Sequence, residues 1–198
     1  MFRPPPADLA GREPIIYSVA DTEVWFRSHR MTSGPVFFGR RMANRWDAPH
    51  GEYGVLYVAR DPYCAFMESI GRNVLKTRFV PKADLTTCGL SKVQFSRALR
   101  LIDMAASGGL TRLGAEGSLT SGAGYKNSQR WSKALREHPS KPDGILYCSR
   151  YDPSRIACAL YDHCEPAMTV ISPAEAWADQ PVLLGAILDQ YRFGTDLS

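Results

Sequence analysis

The chain has 198 residues, with 24 Lys and Arg against 20 Asp and Glu, which gives a net charge of +4 when His is neutral. Its 44% hydrophobic content excludes a disordered protein, and its length fits one domain with a substantial core. The five cysteines are an odd number and lack C-x-x-C spacing, which argues against a disulfide framework or a zinc ribbon and favours reduced thiols in a cytoplasm. No apolar run approaches the roughly 18 residues of a membrane span, so no membrane contact is expected.

The first third of the chain predicts an extended lead followed by strands. Residues 1–13 are expected to form a poorly ordered lead, because Pro4, Pro5 and Pro6 cannot donate to a sheet ladder. Val24–Arg30 fits either a strand or a helix. Short strands are expected at Ile15–Val19, Val36–Gly39 and Val55–Ala59, and the last of these is apolar on both faces and therefore buried.

A helix is expected to begin at Asp61-Pro62, because Asp caps free backbone N–H groups and Pro is tolerated at the first helical position. The helix is expected to end near Gly71. Downstream, Thr77–Pro81 predicts a strand and Ser91–Met104 predicts a helix. The core face of the first helix follows from apolar residues at helical spacing: Tyr63, Phe66, Met67 and Ile70.

Residues 105–124, AASGGLTRLGAEGSLTSGAG, are rich in glycine. No helix or strand is expected to persist at that glycine density, so the segment predicts a long surface loop or a mobile lid. A tolerated insertion without function fits the same composition equally well.

The last third predicts two helices and a hairpin. Helices are expected at Ser128–Glu137 and about Val182–Tyr191. Strands are expected at Gly144–Ser149 and Arg155–Tyr161, joined by a turn at Asp152-Pro153. Because strands and helices mix without strict βαβ alternation, the fold class is α+β, with mixed sheets flanked by helices. Residues 14–198 are expected to form one catalytic domain.

Several common sites are unsupported by the sequence. There is no G-x-x-x-x-G-K-[ST] motif, and no G-x-G-x-x-G motif follows a strand, so P-loop and Rossmann nucleotide binding are not indicated. His163 and Cys164, with Asp162 and Glu165 beside them, could supply metal ligands. A polar turn after a strand fits them better, because a metal site needs three or four ligands at defined geometry, and no metal is expected.

Arginines are concentrated between Glu23 and Asp47, where no acid occurs. The planar guanidinium donates two parallel hydrogen bonds and stays charged, so this run could bind an anion or a nucleotide. It could also bind nucleic acid, or it could be a solvated face that balances acids elsewhere. The run consists of Arg27, Arg30, Arg40, Arg41 and Arg45.

Four ordered strings give the chain a family resemblance: NRWD at 44–47, GVLYVA at 54–59, AFME at 65–68 and DGILYCSR at 143–150. Together they resemble the RES domain family over residues 15–162. The resemblance implies a fold like that of ADP-ribosyltransferases, with sheets around an NAD⁺ cleft. It also implies the toxin of a two-gene toxin–antitoxin pair, restrained by a separate antitoxin protein that blocks the cleft.

The resemblance also implies which residues form the site. The family's Arg, Tyr, Glu and Ser fall on Arg45, Tyr57, Glu68 and Ser149. Many members carry an Arg after the aromatic residue of the first strand, where this chain has Ser18. Arg27 or Arg41 could take over the contact of that missing arginine. The loop between Arg45 and Tyr57 is also about two residues longer here than in the family pattern.

The implied chemistry can be assigned to individual side chains. Breaking the bond between nicotinamide and ribose builds positive charge on the ribose, which a carboxylate such as Glu68 would stabilise. Arg45 would bind the pyrophosphate, and Tyr57 could stack on the nicotinamide or the ribose. The hydroxyl of Ser149 could reach the ribose. Trp46 could form a wall of the cleft, although core packing suits it equally well.

The leading functional interpretation is therefore an NAD⁺-consuming enzyme that releases nicotinamide, with phosphate or water as acceptor. No prosthetic group is expected; NAD⁺ would be the substrate, and inorganic phosphate would be a co-substrate if phosphate rather than water is the acceptor. One alternative is a protein ADP-ribosyltransferase that uses the same cleft. Another is a non-enzymatic module that binds nucleic acid or an acidic partner. Direct contact with nucleic acid is not expected, because no recognition helix pair or aromatic-interleaved basic pattern is present.

Overall fold

A computed structural model describes residues 3–197. Met1 and Phe2 of the predicted N-terminal lead, and Ser198 of the predicted domain, lie outside the described residues. The chain forms one eight-stranded sheet, a two-stranded sheet and six α-helices within these residues. The strands are β1 (Ile16–Val19), β2 (Trp25–Arg30), β3 (Val55–Ala59), β4 (Phe79–Val80), β5 (Cys88–Phe95), β6 (Leu99–Asp103), β7 (Gly144–Cys148), β8 (Ile156–Tyr161), β9 (Met168–Ala176) and β10 (Gly194–Thr195). The helices are α1 (Pro62–Ser69), α2 (Lys82–Thr87), α3 (Gly109–Leu113), α4 (Ser118–Ser121), α5 (Lys126–Arg136) and α6 (Pro181–Tyr191).

The large sheet has the strand order β1-β6-β7-β8-β3-β2-β5-β9. All its neighbouring pairs are antiparallel except β6 and β7, which are parallel. The small sheet pairs β4 with β10. The α+β class is therefore confirmed. No helix among residues 3–197 has the length and apolarity needed to cross a bilayer.

The large sheet carries an apolar cluster on each face. Along β3, Val55 and Ala59 belong to the larger cluster, whereas Leu56 and Val58 belong to the other. This period-two division is what an extended strand imposes on successive side chains. It confirms that β3 is buried on both faces, as its uninterrupted apolar sequence predicts.

Helix α1 begins as the sequence predicts. The Asp61 carboxylate accepts a hydrogen bond from the backbone N–H of Cys64 at 2.9 Å, and Pro62 occupies the first turn. Phe66 and Met67 are fully buried, and the Phe66 ring meets Trp177 edge-on at 5.2 Å. The buried face holds α1 against the sheet, which leaves Glu68 near the end of the helix at the edge of the core.

The predicted helix over Ser91–Met104 is wrong, because the segment forms most of β5 and all of β6. Val93 and Phe95 in β5 and Leu99 and Leu101 in β6 are all buried in one cluster. Their spacing of two within each strand is the strand period, and a bend at 96–97 separates the two runs. Three further elements, α2, β9 and β10, also have no counterpart among the sequence-based elements.

The predicted strand Val36–Gly39 is also wrong, since only Gly39 makes a bridge, to Val55. The side chain of Arg27 donates hydrogen bonds to the carbonyls of Pro35 and Phe37 at 2.5 and 3.2 Å. Those two carbonyls are thereby satisfied by a side chain rather than by a neighbouring strand.

Elsewhere the differences from the predicted elements are smaller. Val24–Arg30 resolves as β2, the strand at Thr77–Pro81 shortens to β4, and the β7–β8 hairpin and helices α5 and α6 are confirmed. The glycine-rich segment 105–124 is not a continuous loop, because it contains α3 and α4, anchored by buried Leu113 and Leu119. In the proposed N-terminal lead, Leu9 is buried and the carbonyl of Arg3 accepts a hydrogen bond from the Trp131 indole at 3.0 Å.

Candidate functional site

A cavity of about 460 Å³ opens between β2, the segment 39–47, helix α1 and the residues that follow β7. Its wall is rich in arginine and tyrosine and contains two carboxylates, those of Asp47 and Glu68. The arginines are Arg27, Arg30, Arg41, Arg45, Arg72 and Arg150, and the tyrosines are Tyr57, Tyr125, Tyr147 and Tyr151. Such a wall suits an anionic ligand that also carries flat rings.

Glu68 lines this cavity and is hydrogen-bonded to Ser149, although 81 positions separate the two residues in the chain. The Ser149 hydroxyl donates a hydrogen bond of 2.6 Å to Oε1 of Glu68. The backbone N–H groups of Tyr151 and Asp152 donate to the same hydroxyl oxygen at 3.2 and 3.4 Å. These donors leave the serine proton directed at the carboxylate, and Ser149 itself is 1% exposed. Ser149 therefore lies behind Glu68 and orients it.

Burial and nearby groups shift the pKa of Glu68 in opposite directions. Burial raises its pKa above the ordinary value for Glu, because the low-dielectric surroundings disfavour the charged form. The hydrogen bond from Ser149 and the positive charges of Arg72 and Arg45 act in the opposite direction. Glu68 is thus a half-buried acid with a raised pKa, and a fixed donor and nearby cations oppose that rise. Such an arrangement is typical of functional carboxylates.

Tyr57 connects the cavity to the segment that carries Arg45. Its hydroxyl donates to Oδ1 of Asp47 at 2.9 Å and accepts from the backbone N–H of Trp46 at 2.9 Å. Asp47 also accepts from the backbone N–H of Asn44 at 2.9 Å. Tyr57 therefore presents its ring to the cavity while its hydroxyl fixes the loop.

The structure does not place Trp46 in the cavity wall. Its side chain is 0% exposed, and its ring centroid lies 5.7 Å from that of Tyr147 inside the core. Of the two sequence-based alternatives for Trp46, core packing is the one observed. The ring supports the cavity from behind through Tyr147, which does line it.

Arg45 is bound to backbone rather than left free for a ligand. It is 7% exposed, and its Nη1 and Nη2 donate to the carbonyls of Leu119 and Gly122 at 3.0 and 2.7 Å. Its guanidinium also lies over the Tyr125 ring, 5.1 Å from the centroid. Burial lowers the pKa of Arg45 from its ordinary value. Arg45 thus anchors the end of the glycine-rich segment against the cavity.

Arg27 is held in a similar way, by the carbonyls of Pro35 and Phe37. Burial lowers its pKa to about 10, a value at which the guanidinium remains charged at neutral pH. The site therefore contains one half-buried arginine, Arg27, and one buried arginine, Arg45, whose principal partners are main-chain oxygens.

Several residues of the cavity were not singled out from the sequence. Tyr147 could have been found from strand alternation, because it lies on β7 two positions before Ser149, the residue that directly follows that strand. Arg72 follows Glu68 by four positions, just beyond the end of α1, which is a weaker signal. Tyr125 and Tyr151 have no local signal, since they reach the cavity only through the path of the surrounding loops.

Asp143, His163 and Cys164 bring three possible metal-ligand atoms within 4.8 Å of one another, away from the cavity. Arg97 donates to both oxygens of the Asp143 carboxylate, at 2.8 and 2.9 Å. A cation placed there would compete with that guanidinium, so the cluster is better described as an ion pair. Arg97 and the His163 contact help to keep the pKa of Asp143 below its ordinary value.

Comparisons with known proteins identify the family and relatives of the chain. A model of the RES domain family matches residues 16–181. The probable toxin y4kH of Sinorhizobium fredii (strain NBRC 101917 / NGR234) is 32% identical over 90 residues, which are 46% of this chain and 69% of that protein.

The fold is also similar to that of a chain in the crystal structure of the M. tuberculosis MbcT–MbcA toxin–antitoxin complex. The TM-score is 0.64, and the match covers 92% of this chain and 97% of that chain at 15% identity. That identity supports similarity of fold alone. Because the family match extends over most of the sequence, from β1 to the start of α6, the chain belongs to the RES domain family.

Proposed function

We propose that this chain degrades NAD⁺ by breaking the bond between nicotinamide and ribose. One observation carries the proposal: a carboxylate oriented by a serine, Glu68 with Ser149, lies in a cavity whose wall holds six arginines. NAD⁺ combines a diphosphate with a glycosidic bond whose cleavage generates a cation. The arginines of the cavity suit the diphosphate, and the carboxylate of Glu68 suits the cation. Family membership supports the same chemistry.

Glu68 would act on the ribose. When the C1–N bond breaks, its electron pair moves to the pyridinium nitrogen and nicotinamide leaves as a neutral molecule. Because the leaving group is already cationic in the substrate, it needs no general acid. Positive charge develops on the ribose at C1 and the ring oxygen, and a fixed carboxylate stabilises that charge. The hydrogen bond from Ser149 favours the ionised form of Glu68 and would orient it.

The acceptor would attack C1 of the ribose cation. A phosphate oxygen would form ADP-ribose carrying a phosphate on C1, whereas water would form ADP-ribose and release a proton. Attack by a protein side chain would make the chain an ADP-ribosyltransferase, which is the alternative in the same class. A nucleic-acid-binding module is less well supported, because four arginines of the run between Glu23 and Asp47 line the cavity.

The partner proposed for this chain is a separate antitoxin protein. A matching relative is described as a probable toxin, and the similar fold comes from a toxin–antitoxin complex. An enzyme that consumes cytoplasmic NAD⁺ would harm its own cell unless restrained. An antitoxin that covers the cavity mouth would provide that restraint.

Product analysis tests the proposal. The purified protein is incubated with NAD⁺, with and without phosphate, and the products are separated by chromatography. We expect free nicotinamide together with C1-phosphorylated ADP-ribose or plain ADP-ribose. Intact NAD⁺ under both conditions would contradict the proposal. Label transferred from NAD⁺ to a protein, at a rate that accounts for NAD⁺ loss, would favour the transferase.

Replacing Ser149 by Ala is expected to move the acid limb of the pH–rate profile to higher pH. The hydrogen bond from Ser149 lowers the pKa of Glu68, so its removal lets burial raise that pKa further. Because the ionised carboxylate is the active form, the rate would then begin to fall at a higher pH. The profile of kcat/KM checks this, with Ser154→Ala as an exposed control. An unmoved limb with an unchanged rate would show that Ser149 does not position Glu68.

A further inference from the structure

The cavity has more positive charge than its own residues neutralise. Six arginines line it, whereas its carboxylates are only Asp47 and Glu68. Asp47 is already engaged by Tyr57 and by the backbone of Asn44. Guanidinium groups that gather around one cavity repel one another unless an anion lies between them, so the wall is built for an anionic ligand.

The arginines divide into two groups according to their hydrogen bonds. Arg27 and Arg45 use both of their terminal nitrogens on main-chain carbonyls. Three of these four bonds lie in buried or half-buried surroundings, where a carbonyl left without a donor is destabilising, and the bond from Arg27 to Phe37 is exposed. Those bonds fix the orientation of each guanidinium and leave it fewer free N–H groups than an unbonded arginine has, so both arginines are weaker candidates for binding an incoming anion.

The remaining arginines keep donors available. Arg72 and Arg150 each donate one hydrogen bond, to Asn44 and Gly122, at 3.3 Å in both cases. Among residues 3–197, the side chains of Arg30 and Arg41 make no hydrogen bond or ion pair. Both nevertheless line the cavity, one at the end of β2 and the other in the segment 39–47.

We infer that Arg30 and Arg41 bind the diphosphate of a dinucleotide in this cavity, with Arg27 and Arg45 as positioning residues. The inference rests on the proposed function and names the residues that hold its substrate. Two forked guanidinium groups suit a diphosphate, because each can donate two parallel hydrogen bonds to phosphate oxygens. It replaces the expectation that Arg45 itself binds the pyrophosphate.

Titration with ADP-ribose tests the inference independently of turnover. ADP-ribose keeps the diphosphate of NAD⁺ but lacks the bond that would be cleaved. We compare the wild type with Arg30→Ala/Arg41→Ala and with the charge-matched control Arg112→Ala/Arg130→Ala, whose side chains are exposed and outside the cavity. Calorimetry gives the dissociation constant, and thermal melting checks that each variant is folded.

The double variant in the cavity is expected to bind ADP-ribose about 100-fold more weakly than the wild type, or about tenfold for each guanidinium removed. The control is expected to stay within about twofold of the wild type, since exposed charges far from a ligand are screened by salt. Equal affinities of the two double variants, or no binding of ADP-ribose by the wild type, would overturn the inference. If the expected loss occurs but the wild type leaves NAD⁺ intact, the anion site stands and the proposed function falls.

Discussion

Glu68→Gln is expected to lower the rate of nicotinamide release by about a thousandfold. The substitution keeps the size of the side chain but removes the negative charge that would stabilise the ribose cation, and losses of this order follow removal of one preorganised electrostatic group. The measurement is kcat for NAD⁺ cleavage. Glu137→Gln, an exposed residue at the end of α5, is the matched control and should retain full activity.

The same variant should not lose stability. Burial raises the pKa of Glu68, so the folded chain binds this proton more tightly than the unfolded chain does. The contribution of Glu68 to stability is therefore greatest at acidic pH and is lost as the pH rises through the folded pKa. At neutral pH the wild type must hold a charged carboxylate in low-dielectric surroundings, whereas the amide of the variant is uncharged. We therefore expect a Tm of the variant at or above that of the wild type. Full turnover by folded Glu68→Gln would remove the carboxylate from the mechanism.

Arg45→Ala is expected to destabilise the protein by about 2–4 kcal/mol, because it leaves two main-chain carbonyls without their charged donor. The carbonyls are those of Leu119 and Gly122, and Tyr125 also loses the guanidinium that covers its ring. The end of the glycine-rich segment should then be cleaved more readily by proteases. Urea unfolding gives the free energy, and limited proteolysis locates the cleaved bonds.

Arg41→Ala is the matched control for stability, since Arg41 lies four positions earlier, is exposed and makes no bond within residues 3–197. Its free energy of unfolding should stay close to that of the wild type. A stable Arg45→Ala variant with a greatly raised KM for NAD⁺ would mean that Arg45 binds substrate directly. That result would contradict its role as a positioning residue.

Sequence patterns predicted the elements whose signals are local. The cap at Asp61-Pro62 located the start of α1, and the apolar run Val55–Ala59 identified β3. Ser91–Met104 was misassigned because its apolar residues satisfy both the helical and the strand spacing, and only pairing with distant strands decides between them. The edge strand β9 is irregular, with exposed residues on both faces, so it has no clean alternation to recognise.

In the candidate site, too, the sequence predicts what local patterns show and misses what depends on distant contacts. The ordered strings of the sequence identify Glu68 and Tyr57, which line the cavity, and Ser149, which lies behind Glu68 and donates a hydrogen bond to it. The catalytic roles of these residues stay predictions. The partners of Arg45 could not be predicted, because the carbonyl of Leu119 lies 74 positions away along the chain. A sequence shows that an arginine is present, but which oxygens it reaches depends on how the loops pack.

A crystal structure of Glu68→Gln soaked with NAD⁺ tests the central claim most directly, since this variant should bind the substrate and cleave it slowly. The account predicts intact NAD⁺ in the cavity, with the nicotinamide–ribose bond beside the substituted side chain and the diphosphate on Arg30 and Arg41. The bonds from Arg45 to Leu119 and Gly122 should remain. NAD⁺ bound outside this cavity, or no bound NAD⁺ at a saturating concentration, would contradict the account.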